Sequence, residues 1–234
     1  MRRLVRTVNV PRPAEIGRHA GLAYTLWLPA EQPRAGVVVL HGAGSCKESH
    51  HDFARVLIAD GFAAVVFDQR GHGESDGPMD GRVLKDVNAM ASVLPKGLPI
   101  ALRGSSMGGT LAILAAPLVD ARAVIAICPA SPEGLRRGLR GGRLRFDADV
   151  AKLDAILAEQ DLHEAVSALE APLLVLHAAG DEQVPVEHSR ELARAMRLPG
   201  SRLIVVPGGH HRSVQHDAEL QAVSVRFIKK AIGG

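Results

Sequence analysis

IALRGSSMGGTLAILAAPLV, residues 100–119, sets two structural signals back to back. Residues 100–104 form a short apolar run that ends in glycine, the pattern of a buried strand. Residues 107–119 are almost wholly apolar, as a deeply buried helix would be. Between them Gly104-Ser105-Ser106-Met107-Gly108 has the form G-x-S-x-G. A strand-to-helix turn tight enough to expose a serine forces that serine into a strained backbone conformation. Small residues two places either side keep the neighbouring chain from clashing. Ser106 would then stand at the positive end of a helix, where N-terminal amides can help an oxyanion.

Working outward, further strands are expected at 4–8, 22–28, 37–41, 63–68, 123–128, 173–177 and 203–206. From 37–41 onward the runs VVVL, AAVVF, AVIAI, LLVL and LIVV are continuously hydrophobic, as in parallel strands covered by helices on both faces. Helical patterns fall at 51–60, 81–94, 107–119, 186–198 and 217–232. The alternation predicts an α/β fold: a mostly parallel, doubly wound, eight-stranded sheet with right-handed crossovers. The first two strands are joined by a loop rather than a helix, so an antiparallel edge is expected there. The interval 131–171 is about twice what a helix and two turns need, which predicts a small helical cap over the C-terminal edge of the sheet. The whole chain, 1–234, reads as a single domain.

Composition narrows the function classes. Hydrophobic residues make up 47% of the chain against 23% charged, which suits a globular core rather than a disordered chain. Aromatics are only 3%, so aliphatic side chains must fill that core. No stretch reaches the roughly 18 uninterrupted apolar residues of a membrane helix. The start, MRRLVRTVNVPRP, has neither an apolar core nor a small-residue cleavage site, and a cytoplasmic protein is expected. The two cysteines, Cys46 and Cys128, belong to no CxxC pair, so neither a disulfide framework nor a cysteine zinc site is expected. His50 and His51 are adjacent, but no H-E-x-x-H or carboxylate cluster completes a metal site; no metal or other cofactor is expected. The net charge of +3 is spread along the chain without a recognition module, so nucleic acid is not an expected partner.

A serine hydroxyl becomes nucleophilic when an imidazole removes its proton, and that imidazole needs an acid to fix its tautomer. HAAGDEQVP supplies Asp181 just after the strand LLVLH, with Glu182 beside it. The plainer alternative for Asp181 is an Asx turn capping the helix that starts near Pro185. VVPGGHHRS supplies two candidate bases, His210 and His211, after the strand LIVV. His216 reads as structural, and so does His41, which precedes a glycine turn. In His41-Gly42-Ala43-Gly44 the small residues let backbone N–H groups approach a carbonyl oxygen. The expected oxyanion donors are the amides of Ala43 and Met107.

HGAG (41–44), DQRGHGESDG (68–77), GSSMGG (104–109), GDEQVP (180–185) and PGGHH (207–211) together resemble the α/β-hydrolase superfamily. The likeness is to its bacterial carboxylesterase, acyl-hydrolase and serine-aminopeptidase-like branches. The resemblance implies a catalytic Ser106, Asp181 and His211. His211 is favoured over His210 because the family's loop runs Pro-Gly, two residues, then His. It also implies that 68–77 is a structural turn without chemistry. The expected substrate is a small-molecule ester or acyl compound with a short acyl chain, since the cap is short beside those of many lipases. A thioesterase or an aminopeptidase-like amidase is the alternative. Arg136, Arg137, Arg140, Arg143 and Arg145 in the cap segment read either as a solvated helix face or as a means of steering an anionic substrate. A catalytically dead binding module would require a lost nucleophile or base, and neither is missing. Oligomeric state is not legible in the sequence.

Overall fold

In a computed structural model describing residues 10–233, most of the stretch 100–119 is buried, in a strand inside the sheet and the helix after it, and only its last residues reach the surface. The strands are β1 (Glu15–His19), β2 (Leu22–Trp27), β3 (Gly36–Leu40), β4 (Ala63–Phe67), β5 (Ile100–Ser105), β6 (Ala121–Ile127), β7 (Leu173–Ala178) and β8 (Arg202–Val206). They form one sheet in the order β1-β2-β4-β3-β5-β6-β7-β8. Pairing is antiparallel at β1/β2 and β2/β4 and parallel from β4 through to β8. The eight-stranded, mostly parallel sheet expected from the apolar runs is therefore present.

Its first strand differs from the expectation. Residues 4–8 lie outside the described residues, and the partner of β2 is Glu15–His19 instead. That strand, EIGRH, is a polar edge with one apolar side chain, Ile16, and that one is exposed. It has no buried face to leave a hydrophobic period. Its hairpin is set by Ala20 and Gly21, both at positive φ (52° and 80°), as a two-residue primed turn demands.

The helices are α1 (His51–Ala59), α2 (Val83–Ala91), α3 (Met107–Ala115), α4 (Pro132–Arg140), α5 (Val150–Ala158), α6 (Leu162–Ser167), α7 (Val186–Ala195), α8 (Ser213–His216) and α9 (Ala218–Ile232). α3 stops at Ala115, short of the expected 119, because Pro117 turns residues 116–119 into a tighter 3-10 turn. Alternate residues of each central strand serve opposite faces of the sheet. Val38 and Leu40 join a core shared with α2, α3 and the helices of 131–171, whereas Val37 and Val39 join one under α1 and α9. Among the described residues no helix is long and apolar enough to cross a membrane.

Between β6 and β7 the three helices α4–α6 take up most of the interval 131–171. Each begins on a side-chain cap: Ser131 accepts from Gly134 N, Asp149 from Lys152 N, and Asp161 from His163 N and Glu164 N. Arg136 and Arg140 of α4 both reach Asp154 of α5, at 3.2 and 2.6 Å, and tie the first two helices together.

Candidate active site

Ser106 sits between β5 and α3 with φ 54° and ψ −118°, in a region that side chains rarely adopt and that costs about 1–3 kcal/mol. The surrounding glycines explain how the chain accommodates it. A Cβ on Gly104 would lie 1.9 Å from the Gly108 carbonyl oxygen, and one on Gly108 would lie 2.5 Å from the carbonyls of Leu40 and His41. Only glycine lets the start of α3 press this closely on the end of β3. The turn is pinned by Ser106 N donating to Ile127 O (2.8 Å) and Ala130 N donating to Ser106 O (3.3 Å).

The loops after β7 and β8 are brought together backbone to backbone. Ala179 N donates to Val206 O and Gly180 N to Gly208 O, at 2.8 and 3.0 Å. A Cβ on Gly180 would lie 2.4 Å from Gly209 O, and Gly208 and Gly209 are both at positive φ (68° and 73°). This junction sets Asp181 against His211: His211 Nδ1 donates to Asp181 Oδ2 at 2.7 Å. His210, its neighbour, is exposed and engaged locally, its Nδ1 accepting from Arg212 N.

Asp181 does two things at once. Oδ1 accepts from the amides of Gln183 (2.8 Å) and Val184 (2.9 Å), the Asx turn that the sequence offered as the plainer reading. Oδ2 faces His211 and, at 3.4 Å, Nε2 of the buried His177. Burial alone would raise the Asp181 pKa. The hydrogen bonds from His177, His211 and the two amides outweigh it and hold the carboxyl far below its ordinary range. The side chain stays an anion, which fixes the proton of His211 on Nδ1 and leaves Nε2 basic. Glu182 is exposed and accepts from the His211 amide at 3.2 Å.

The segment 41–45 faces the serine from the end of β3. Gly42 is placed so that a Cβ would be 3.2 Å from Ser106 Cβ. Among the described residues no protein acceptor takes the amide of Ala43 or of Met107. His41 is fully buried, and both of its nitrogens are used: Nδ1 donates to Gly42 O (2.8 Å), and Nε2 accepts from Gln69 N (2.9 Å). Burial and the neighbouring His72 lower its pKa to about 4, so it is neutral and shapes the loop. His72 in turn accepts from Gly44 N at 3.0 Å, stacks on Phe146 and is held through Arg70 O. The DQRGHGESDG turn thus supports the glycine loop through the His72 side chain at Gly44 and through Gln69 at His41.

Ser106, Ala43 and His211 line one cavity of about 500 Å³, together with Ser131, Gly134 and Leu135 from the start of α4. Ser106 and His211 are on its wall without a hydrogen bond joining them, and such bonds often form only once substrate is bound. Cys128, Asp181 and His211 offer donor atoms within 4.8 Å of one another, the spacing of a metal site. That set suits a metal poorly, because burial pushes the Cys128 thiol up and away from thiolate while Asp181 Oδ2 is already taken by two imidazoles.

Three neighbours of the site were given no part in it by the sequence reading: His177, read only as the end of a strand, Cys128, read only as an unpaired cysteine, and Gln215. Gln215 is the most informative. Its Oε1 accepts from Ser105 Oγ (2.7 Å), and its carbonyl accepts from the buried Arg103 (3.0 Å) and from Gln221 (3.2 Å). It ties the serine turn to the histidine loop, and it hid within the polar run HHRSVQHD.

Residues 31–140 match the family model for serine aminopeptidase, S33, and residues 156–231 match that for TAP-like protein. A monoacylglycerol lipase of Mycolicibacterium smegmatis is 26% identical over 81% of this chain and 85% of its own length. Human monoglyceride lipase is 36% identical over a shorter span, 38% of this chain and 32% of its own. Among solved structures, Est1E from Butyrivibrio proteoclasticus, with ferulic acid bound, superposes with a TM-score of 0.74 at 21% identity, covering 93% of this chain and 100% of that one; the likeness is one of fold. With its sheet order, its serine turn and these relatives, the chain belongs to the α/β-hydrolase superfamily.

Proposed function

We propose that the protein is a serine hydrolase that cleaves carboxylic esters of short acyl chains, with Ser106 as nucleophile, His211 as general base and acid, and Asp181 as the acid that orients it. The observation that carries this reading is the 2.7 Å contact from His211 to a buried, ionised Asp181, in a cavity shared with a serine on a positive-φ turn. Ser106 Oγ attacks the ester carbonyl as His211 Nε2 takes its proton, and the oxyanion is received by the amides of Ala43 and Met107. His211 then returns the proton to the departing alcohol. Water, deprotonated by the same imidazole, then attacks the acyl carbon, the bond to Ser106 Oγ breaks, and the imidazolium returns its proton to Oγ as the acid leaves. The segment 131–171 acts as a cap, with α4 walling the cavity.

Two relatives named for monoacylglycerol or monoglyceride lipase activity support an ester substrate. The serine aminopeptidase model over 31–140 favours a second reading, amide cleavage by the same three residues. Kinetics on a p-nitrophenyl ester series from acetate to palmitate, beside matched aminoacyl anilides, separates them. The expected result is an initial burst of nitrophenol, highest kcat/KM at acetate or butyrate, and no anilide turnover. Faster anilide than ester cleavage would move the reading to the amidase, and a maximum at palmitate would remove the short-chain assignment.

A further inference from the structure

The cap-segment arginines divide into two groups. Arg136 and Arg140 are neutralised by Asp154. Arg137, Arg143 and Arg145 instead line the cavity, where Arg212 joins them from the residue after His211. None of these four guanidinium groups has a carboxylate partner among the described residues, and no Asp or Glu lines the cavity. Their backbones are also anchored. Arg143 N donates to Gly138 O (2.9 Å), and Leu144 packs on Gly138 of α4. Beyond Arg145, Phe146 stacks on His72, while Asp147 bonds Gly71 and Met79 through its backbone at 3.1 and 2.9 Å. The Arg145 carbonyl abuts Gly44, so this arginine stands beside the loop expected to receive the oxyanion. An unneutralised set of four cations around one reaction cavity disfavours cationic substrates and attracts anions. Guanidinium forks match carboxylate and phosphate oxygens in particular.

We propose that the substrate is an ester carrying a fixed anionic group, a carboxylate or phosphate, away from the scissile carbonyl, and that Arg137, Arg143, Arg145 and Arg212 bind that group. This rests on the serine-hydrolase reading above. Because the four side chains are exposed at the cavity mouth, they act on capture more than on the chemical step. The effect belongs in KM and kcat/KM and weakens with salt.

The test compares esters matched except for charge. Monomethyl adipate against methyl hexanoate places the anion on the acyl side, and 1-butyrylglycerol 3-phosphate against 1-butyrylglycerol places it on the alcohol side. At low ionic strength, the anionic member of at least one pair should show kcat/KM higher on the order of tenfold, with the advantage shrinking as NaCl is added. Replacing Arg137, Arg143, Arg145 and Arg212 with Gln should collapse that ratio, whereas Arg136→Gln with Arg140→Gln should leave it unchanged. Equal or better turnover of the neutral member in both pairs overturns the proposal while leaving the hydrolase reading intact. So does a charge effect seen only for 1-butyrylglycerol presented on phosphatidylglycerol vesicles, which would assign the arginines to a lipid surface. If no ester in either pair is cleaved and a fluorophosphonate leaves Ser106 unlabelled, it is the hydrolase reading that fails, and this inference with it.

Discussion

Two adjacent histidines, one exposed and one set against a buried carboxylate, show how much a single residue step decides at this site. His211→Ala removes the base of the proposed mechanism and should lower kcat by several orders of magnitude, whereas His210→Ala should stay within about tenfold of the parent. Steady-state ester kinetics on the two variants checks this, and the reverse pattern would transfer the role to His210. Asp181→Asn keeps the size of the side chain but loses the anion that holds the His211 proton on Nδ1. A drop of about 10⁴ in kcat is expected, as for the equivalent exchange in a serine protease, with the circular dichroism spectrum retained. A loss of less than tenfold would mean that His177, 3.4 Å away, or the Asx turn accounts for the carboxylate instead. The places of Ser106 on a strand-to-helix turn and of Asp181 after a strand end were legible in the sequence, because each is announced by backbone chemistry, glycines around the one and a strand end before the other. Which imidazole meets Asp181 was ambiguous because only tertiary placement separates neighbouring histidines.

At the scale of elements, the site depends on two loops approaching without side chains between them. Gly180→Ala inserts a methyl 2.4 Å from Gly209 O and must part the β7 and β8 loops. Since a misplacement near 1 Å can cost about 10²-fold in rate, kcat should fall by about that factor while thermal unfolding shifts little. Normal activity in a folded Gly180→Ala variant would show that the loops tolerate separation. The central strands were readable from their continuous apolar runs because both faces are covered. Edge strand β1 was not, since Ile16 is exposed and nothing along 15–19 repeats. Helix ends followed local chemistry, as at Pro117, more closely than apolar periodicity. Contacts such as Ser105 to Gln215 span 110 residues and have no local signature at all.

The whole molecule carries an unusual load of buried imidazole. His41 titrates at about 4 because burial, reinforced by His72, disfavours its cation. His50 is lowered well below its ordinary 6.5 by burial and by Arg103, and neither of its nitrogens has a hydrogen-bond partner. In both, the unfolded chain takes up a proton near 6.5 and the folded chain does not. Stability is therefore fully present above pH 6.5 and declines as pH falls toward 4. Asp181, shifted down from 3.8, contributes in a different window: its stabilisation is present above that value and lost below it. Each histidine removes up to about 1.4 kcal/mol per pH unit in its window. Urea midpoints measured from pH 7 to 4 should fall steadily, and less steeply in His50→Leu; a flat profile would contradict these assignments. The account as a whole turns on one hydroxyl, and covalent labelling tests it most directly. After treatment with a fluorophosphonate, peptide mass spectrometry should find a single adduct on Ser106, absent in Ser106→Ala and retained in Ser105→Ala. An adduct that persists on the Ser106→Ala protein, or no adduct on a folded parent that cleaves esters, would contradict it.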